Sequence, residues 1–393
     1  MLSVIIVNYN VKYFLEQCLL SVYKAGINLS MEIIVIDNNS GDGSAAYIRQ
    51  RFPEVRYQFI NENLGFAKAC NYGLQLSRGT HILFLNPDTI LPEDSLEKCI
   101  QFLDSHTNAG ALGVRMLDGS GNFLKESKRG NPTLRATFFK LSGLSAMFPN
   151  SAFFAAYYMA HLSEHETNAV DILSGAFMMT TKKVLDITGS FDEAFFMYGE
   201  DIDLSYTIQK AGFLNYYYPE VTIIHFKGES TQKKSLRYLR TFYKAMSIFV
   251  GKYYKGFKEI IYRVIIEFAI LLSISAGLII NLVTGFIHQV KTIAGLKKSL
   301  NNKLPLIVTG SPESVEFARE IAIHAGFKVI PNQQSANTYK SPVIYCEGSE
   351  YSFKSIIKHW DEEKPESAMI HANRSTSIAG SPGKNKTGET IVM

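Results

Sequence analysis

The sequence predicts an α/β fold built on a mainly parallel sheet, followed by a hydrophobic helix and a small second α/β module. Three observations predict it. Short apolar, β-branched runs alternate with stretches of helical periodicity through the first 90 residues, the pattern of βαβ units. At least three of those runs end in polar, turn-forming residues, which would line one edge of the sheet with ligand groups. Apolar residues make up 46% of the 393 and charged residues 19%, ample core for two or three domains.

Taken in order, Ser3 to Val7 is an apolar run that ends at Asn8-Tyr9-Asn10. It lacks a charged leader and reads as a strand, not a signal peptide. Tyr13, Phe14, Cys18, Leu19 and Val22 recur at helical spacing across residues 11–25. Met31 to Ile36 is a second strand closed by Asp37 and a polar Asn/Ser/Gly turn. Ala45 to Phe52 reads as a helix, Val55 to Ile60 as a third strand and Phe66 to Ser77 as a helix. His81 to Leu85 is a buried fourth strand that Asn86-Pro87-Asp88 breaks. Asp88 therefore sits outside the carboxyl end of a strand, where a carboxylate can hold a hard divalent cation against a diphosphate. An ordinary turn aspartate would occupy the same place.

These strings carry a resemblance. Val4-Ile-Ile-Val-Asn-Tyr-Asn10, Ile36-Asp-Asn-Asn-Ser40, Asn61-Glu-Asn-Leu-Gly-Phe-Ala67 with Asn71-Tyr-Gly73, and Leu85-Asn-Pro-Asp88 resemble family 2 glycosyltransferases, in particular the rhamnosyltransferase-like branch. The resemblance covers residues 1–245 and implies the GT-A fold, a Rossmann-like mixed sheet, with inverting transfer of a sugar from a nucleotide diphosphate. It implies nucleotide contacts at Val7, Asn8, Tyr9, Asp37, Asn39, Asn63, Gly65, Lys68 and Asn86. Asp37 could accept the ring N–H of uracil or thymine, and Lys68 is equally an exposed helix lysine. Asn86 stands where the family has the first aspartate of its Asp-x-Asp metal motif, so coordination of Mg2+ or Mn2+ falls on Asp88.

Beyond this point residues 89–106 read as a helix with Pro92 in its first turn, and Ala111 to Met116 as a strand leading to a turn at Asp118-Gly-Ser-Gly121. Residues 130–165 are aromatic and basic (Phe138, Lys140, Phe153, Tyr157, Tyr158 among them) and read either as a lobe of short helices for an acceptor or as core aromatics. Ile172 to Thr180 reads as a strand interrupted by Gly175, a mark of close ligand approach. Five carboxylates then fall within twelve residues: Asp192, Glu193, Glu200, Asp201 and Asp203. They are costly to bury unless paired or functional. The surrounding string is similar to the family's Gly-x-Phe-Asp-Glu and Gly-Glu-Asp-x-Asp-Leu signatures. The resemblance implies Asp201 as the base that deprotonates the acceptor, with Glu200 on the acceptor or the loop, and Gly175 and Asp203 beside the sugars. A helix cap is the competing account of Asp201 and Asp203. Phe213 to Tyr218 and Val221 to Phe226 read as closing strands, and the family places a histidine like His225 in its metal site.

Leu236 to Tyr254 reads as an aromatic, basic helix, and the apolar run 264–287 has the length to span or lie in a membrane, with lysines on both flanks. We therefore divide the chain into residues 1–245 (glycosyltransferase domain), 246–303 (membrane-associating helices), 304–373 (small α/β module) and 374–393 (polar, disordered tail). Four widely spaced cysteines without Cys-x-x-Cys suggest reduced thiols. A net charge of +4 gives no reason to expect nucleic acid. The expected partners are a nucleotide diphosphate-sugar (dTDP- or UDP-), a glycan or polyprenyl-linked acceptor, and membrane lipid at the cytoplasmic face of the plasma membrane. The competing reading is a non-catalytic nucleotide-sugar-binding scaffold.

Overall fold

The computed structural model describes residues 1–133, 135–136, 139, 144–226, 236–256, 259–265, 304–330, 341–365, 367–381 and 388–392. The apolar run of the proposed membrane segment from residue 266 on, the segment 227–235 after His225, and Phe138 and Lys140 lie outside the described residues. Among the described residues no helix is long and apolar enough to cross a membrane.

The first half is strands β1 (Leu2–Asn8), β2 (Met31–Asp37), β3 (Arg56–Phe59) and β4 (His81–Leu85), separated by helices α1 (Lys12–Ala25), α2 (Ser44–Arg51) and α3 (Phe66–Leu76). All pairings among these strands are parallel, with Asn8 opposite Asp37. The chain then adds β5 (Thr89–Ile90), α4 (Ser95–Ser105), β6 (Ala109–Leu117), a short α5 (Leu144–Met147), β7 (Asn168–Val170), β8 (Phe177–Thr181), α6 (Lys182–Thr188), α7 (Glu200–Lys210) and β9 (Leu214–His225). The strand order is β3-β2-β1-β4-β8-β6-β9-β5, with β7 also on β9. β8 runs antiparallel to β4 and β6, while β6 and β9 run parallel, so the sheet is mixed. One face packs on α1 and α4 through Leu15, Leu19, Leu96 and Phe102, the other on α3 and α7 through Cys70, Leu204 and Ile208. Each strand of the sheet centre is therefore apolar on both sides, which is why these runs do not alternate.

After α8 (Leu236–Tyr253) comes a second sheet: β10 (Leu306–Gly310), α9 (Pro312–His324), β11 (Val329–Ile330), β12 (Val343–Cys346), α10 (Phe353–Glu363), β13 (Ala368–His371), β14 (Ser377–Ser381) and β15 (Glu389–Val392). Its order is β11-β10-β12-β13-β14-β15, parallel up to β13 and antiparallel after it. Trp360 lies at its centre, fully buried, in a cluster that takes Phe14, Ile90, Leu117, Ile224 and Phe226 from the first sheet's side. The two sheets thus share a core. The seam is also polar: Gln17 donates to Ser375 Oγ (2.8 Å) and accepts from the Ala372 amide (3.0 Å). Glu16, wholly buried, meets Arg51 at 2.8 Å and accepts from the hydroxyls of Ser375 (2.9 Å) and Ser377 (2.8 Å).

Four expectations change. Thr89-Ile90 does not begin a helix; it pairs with His225 and Ile224 at the edge of β9. β9 is one strand, because between the pairs Val114–Tyr218 and Arg115–Thr222 it bulges by residues 219–221, including Pro219, where an amide is not needed. Gly175 precedes β8 in a turn and is not inside a strand. The polar tail is ordered in part, since Ser377–Ser381 and Glu389–Val392 complete the second sheet.

Candidate active site

The carboxyl ends of β1, β2, β4 and β9 bring most of the expected side chains to one edge of the first sheet. At β1 and β2 the in-register termini become a hydrogen-bonded unit. Asn8 Nδ2 donates to Asp37 Oδ2 at 2.7 Å and to Ser40 Oγ at 3.1 Å, and the Ser40 amide donates to Asp37 Oδ1 at 2.7 Å. Tyr57 OH also donates to Asp37 Oδ2, and burial together with that carboxylate pushes the phenol far up. Three side chains or amides therefore fix a fully buried Asp37, and a carboxylate with about four acceptor positions keeps one for an incoming N–H.

Asn39 is exposed in left-handed backbone (φ 67°), and its neighbour Asn38 makes the contacts instead. Asn38 Nδ2 donates to the Gly65 carbonyl (3.0 Å) and its Oδ1 accepts from the Leu64 amide (3.2 Å), while Asn63 Oδ1 accepts from the Gly65 amide (3.0 Å). Gly65 is obligatory: its φ is 81°, and a Cβ there would lie 2.3 Å from the Phe196 carbonyl oxygen. That carbonyl accepts from the Phe66 amide at 2.8 Å, so the loop before α7 lies directly on the start of α3. Val7 is buried, Tyr9 half-buried, and Lys68 exposed on α3.

At the end of β4, Asp88 and His225 are each almost buried, with 5% and 6% exposed. Asp88 Oδ1 and His225 Nε2 are 3.3 Å apart, and Asn86 Nδ2 is 3.3 Å from the same nitrogen. The Phe226 amide donates to the Asp88 carbonyl at 3.0 Å, which ties the end of β9 to the loop after β4. Two neighbouring ligands of an octahedral cation at about 2.1 Å lie roughly 3.0 Å apart, so this spacing fits two positions on one Mg2+ or Mn2+. His225 Nδ1 is buried with no hydrogen-bond partner among the described residues. No cluster of three or more His, Cys, Asp or Glu side chains occurs among them, so the remaining ligands would be phosphate oxygens and water.

The carboxylates of α7 divide into three environments. Tyr198 (φ 66°) and Gly199 (φ 88°) turn the chain in left-handed backbone, and α7 begins at Glu200. Asp201 Oδ2 accepts from Arg129 at 2.5 Å and from the Gly175 amide at 3.2 Å, and Oδ1 from the Ile202 amide at 2.8 Å. Because Asn86 donates its amide to the Ala176 carbonyl at 2.9 Å, a two-residue turn links Asp201 to the Asn86-Asp88 loop. A Cβ at Gly175 would lie 3.4 Å from Asp201 Cβ, in ordinary van der Waals contact, so the turn packs directly against the start of α7. Glu200 is buried, and its Oε2 has no partner among the described residues. Burial and then the Asp201 charge raise it to about 8, and it lies near Cys70 of α3, whose thiol burial and that carboxylate push well up. Asp203 turns the other way, accepting from Lys252 Nζ (3.0 Å) and Tyr253 OH (2.7 Å) of α8. It pins α8 and does not face the strand ends, because the helical turn from Asp201 to Asp203 rotates it onto the opposite neighbour.

Sequence reading missed Asn38, which the Asn-Asn repeat makes indistinguishable from Asn39, and Arg129, whose partner is 72 positions away. No local signal marks Arg129 beyond its basic neighbourhood.

Comparison with known proteins adds an independent line. The sequence profile described as "Glycosyl transferase family 2" matches residues 3–185. The chain is 28% identical over 266 residues to the N-acetylglucosaminyl-diphospho-decaprenol L-rhamnosyltransferase of Mycobacterium tuberculosis, covering 65% of this chain and 85% of that one. It is 28% identical over 148 residues to Rhamnosyltransferase WbbL of Escherichia coli, covering 37% of this chain and 52% of that one. Among solved structures, residues 1–349 of S. aureus TarS overlay with a TM-score of 0.42 at 16% identity, over 64% of each chain, a likeness too slight to argue from.

Proposed function

We propose that this chain, whose residues 3–185 match the family 2 glycosyltransferase profile, is a glycosyltransferase of that family and of rhamnosyltransferase-like kind, and that it transfers a hexosyl or rhamnosyl group, with inversion, from a dTDP- or UDP-sugar to a glycan or lipid-linked glycan. The observation that supports this most is the linkage of the Asn86, Asp88 and His225 cluster through Ala176 and Gly175 to Asp201. Asp37 accepts the ring N–H of the base, with Asn8 and Tyr57 holding its carboxylate in place. Asp88 and His225 would hold a divalent cation, which when bound would neutralise charge on the departing diphosphate. Asp201 takes the proton from the acceptor hydroxyl as its oxygen bonds to the anomeric carbon. The bond from that carbon to the diphosphate breaks, and the nucleoside diphosphate leaves with the electron pair. Attack from the face opposite the leaving group inverts the anomeric centre. The GT-A arrangement, the lipid-linked acceptor and peripheral attachment to a membrane belong to the same reading. The lipid-linked acceptor is supported by the name of the mycobacterial relative.

The test is thermal stabilisation of the purified protein by dTDP- and UDP-sugars, with and without Mn2+ or Mg2+. A ligand at 100 times its Kd stabilises by about 2.7 kcal/mol, a shift of a few degrees, so the right donor stands out. No shift with any donor, metal present, would overturn the reading.

A further inference from the structure

We propose that Arg129 is the positioning residue of Asp201: it fixes the direction of that carboxylate. The proposal rests on the reading of Asp201 as the base. Arg129 is itself held at three points. Its amide donates to the Ile172 carbonyl at 3.0 Å, its carbonyl accepts from the Ile172 amide at 2.8 Å, and its guanidinium donates to the Leu173 carbonyl at 2.7 Å. The side chain is 12% exposed and Asp201 15%, so water competes little for either. Residues 172 and 173 lead straight into the Gly175 turn, so one guanidinium grips both the carboxylate and the backbone that supplies its second donor.

The neighbours offer no substitute for that donor. Glu200 adjoins Asp201 on α7 with an Oε2 that has no partner among the described residues, and Tyr157 and Tyr158 lie near Arg129. Without Arg129, Asp201 would keep only the Gly175 and Ile202 amides as described donors, and its Oδ2 would lose the side chain that fixes its direction. Lysine keeps the charge, but its shorter side chain must bring an ammonium to the place where Nη2 alone donates to both the Leu173 carbonyl and Asp201. The adjacent Lys128 donates to the Met159 and Leu162 carbonyls, both at 2.9 Å, so the same segment also anchors the aromatic lobe.

The experiment compares Arg129→Met, Arg129→Lys, Asp201→Asn and the Met/Asn double variant in the full chain. The probe is dTDP-L-rhamnose with Mn2+, read as nucleoside diphosphate released to water, alongside donor-induced stabilisation. We expect Asp201→Asn to lower kcat by about 10^3-fold and Arg129→Met by about 10^2-fold, each with donor KM within threefold. Arg129→Met added to Asp201→Asn should cost nothing further. Arg129→Lys should recover part of the loss. Wild-type kcat in Arg129→Lys, or a full additional loss in the double variant, overturns the positioning role while leaving the base in place. Unchanged turnover in Asp201→Asn, or neither stabilisation nor turnover of the wild type with any of the dTDP- and UDP-sugars, overturns the functional reading and this proposal with it. Should Arg129→Met fail to fold, the lysine variant alone decides, since its kcat must fall tenfold or more with donor stabilisation intact.

Discussion

Glu200→Gln tests the buried carboxyl at the start of α7. In the fold this group is held at about 8, first by burial and then by the Asp201 charge, against 4.5 ordinarily. The folded state therefore keeps its proton over a window in which the unfolded chain has lost it, and stability falls as pH rises from about 4.5 to about 8. Below that window Glu200 imposes no penalty, and above it the penalty is complete. At about 1.36 kcal/mol per pH unit, the three units from pH 5 to pH 8 amount to roughly 4 kcal/mol. Glutamine keeps the shape and cannot ionise, so its stability should be flatter across the same range. Urea unfolding of both proteins at pH 5, 6.5 and 8 measures this: the variant should gain on the wild type by a few kcal/mol at pH 8 and hardly at all at pH 5. Parallel stability profiles for the two proteins would refute the assignment of a neutral Glu200 at the head of α7.

Asp88→Asn and His225→Ala should each abolish the extra thermal stabilisation that Mn2+ gives in the presence of a sugar nucleotide, leaving the metal-free shift in place. Gly65→Ala should cost about 2–4 kcal/mol in urea unfolding, from the left-handed backbone and the overlap of its Cβ with the Phe196 carbonyl. Trp360→Ala should cost about 3–5 kcal/mol as a buried cavity, and because its cluster includes Phe14 and Phe226 both sheets should unfold in one transition. Two separated transitions would mean that the sheets do not share a core.

The parts of the fold that local chemistry decides were legible. β4 runs from His81 to Leu85 because Asn86-Pro87 stops it, and α7 runs from Glu200 to Lys210 because Gly199 and Gly212 bracket it. Thr89-Ile90 was not legible, since two residues carry no period and gain strand character only by lying against β9. The tail failed for a similar reason: Ser377–Ser381 is poor in large apolar residues, and its burial comes from contacts with α1 and β13. At the site, strand ends with polar turns pointed to Asn8, Asp37 and Asp88, while His225 came from the family resemblance. Whether Asp201 or Asp203 faces the strand ends depends on where Arg129 and Lys252 arrive in space, and neither is adjacent in sequence.

Glu16 gives residues 375–377 a role in completing the first sheet. Its carboxylate is sealed by hydroxyls 359 and 361 positions downstream, so a ribosome releases the helix that carries it long before its partners exist. Until Ser375 and Ser377 arrive, α1 holds a carboxylate matched only by Arg51 and Tyr47, on a surface whose apolar side includes Phe14. The nascent first sheet therefore waits, wetted along α1, until residues 375–377 have been made. A stop codon anywhere upstream of residue 375 removes that closure as surely as it removes the second sheet. A clip between the sheets would spare the closure only while the fragment stayed bound.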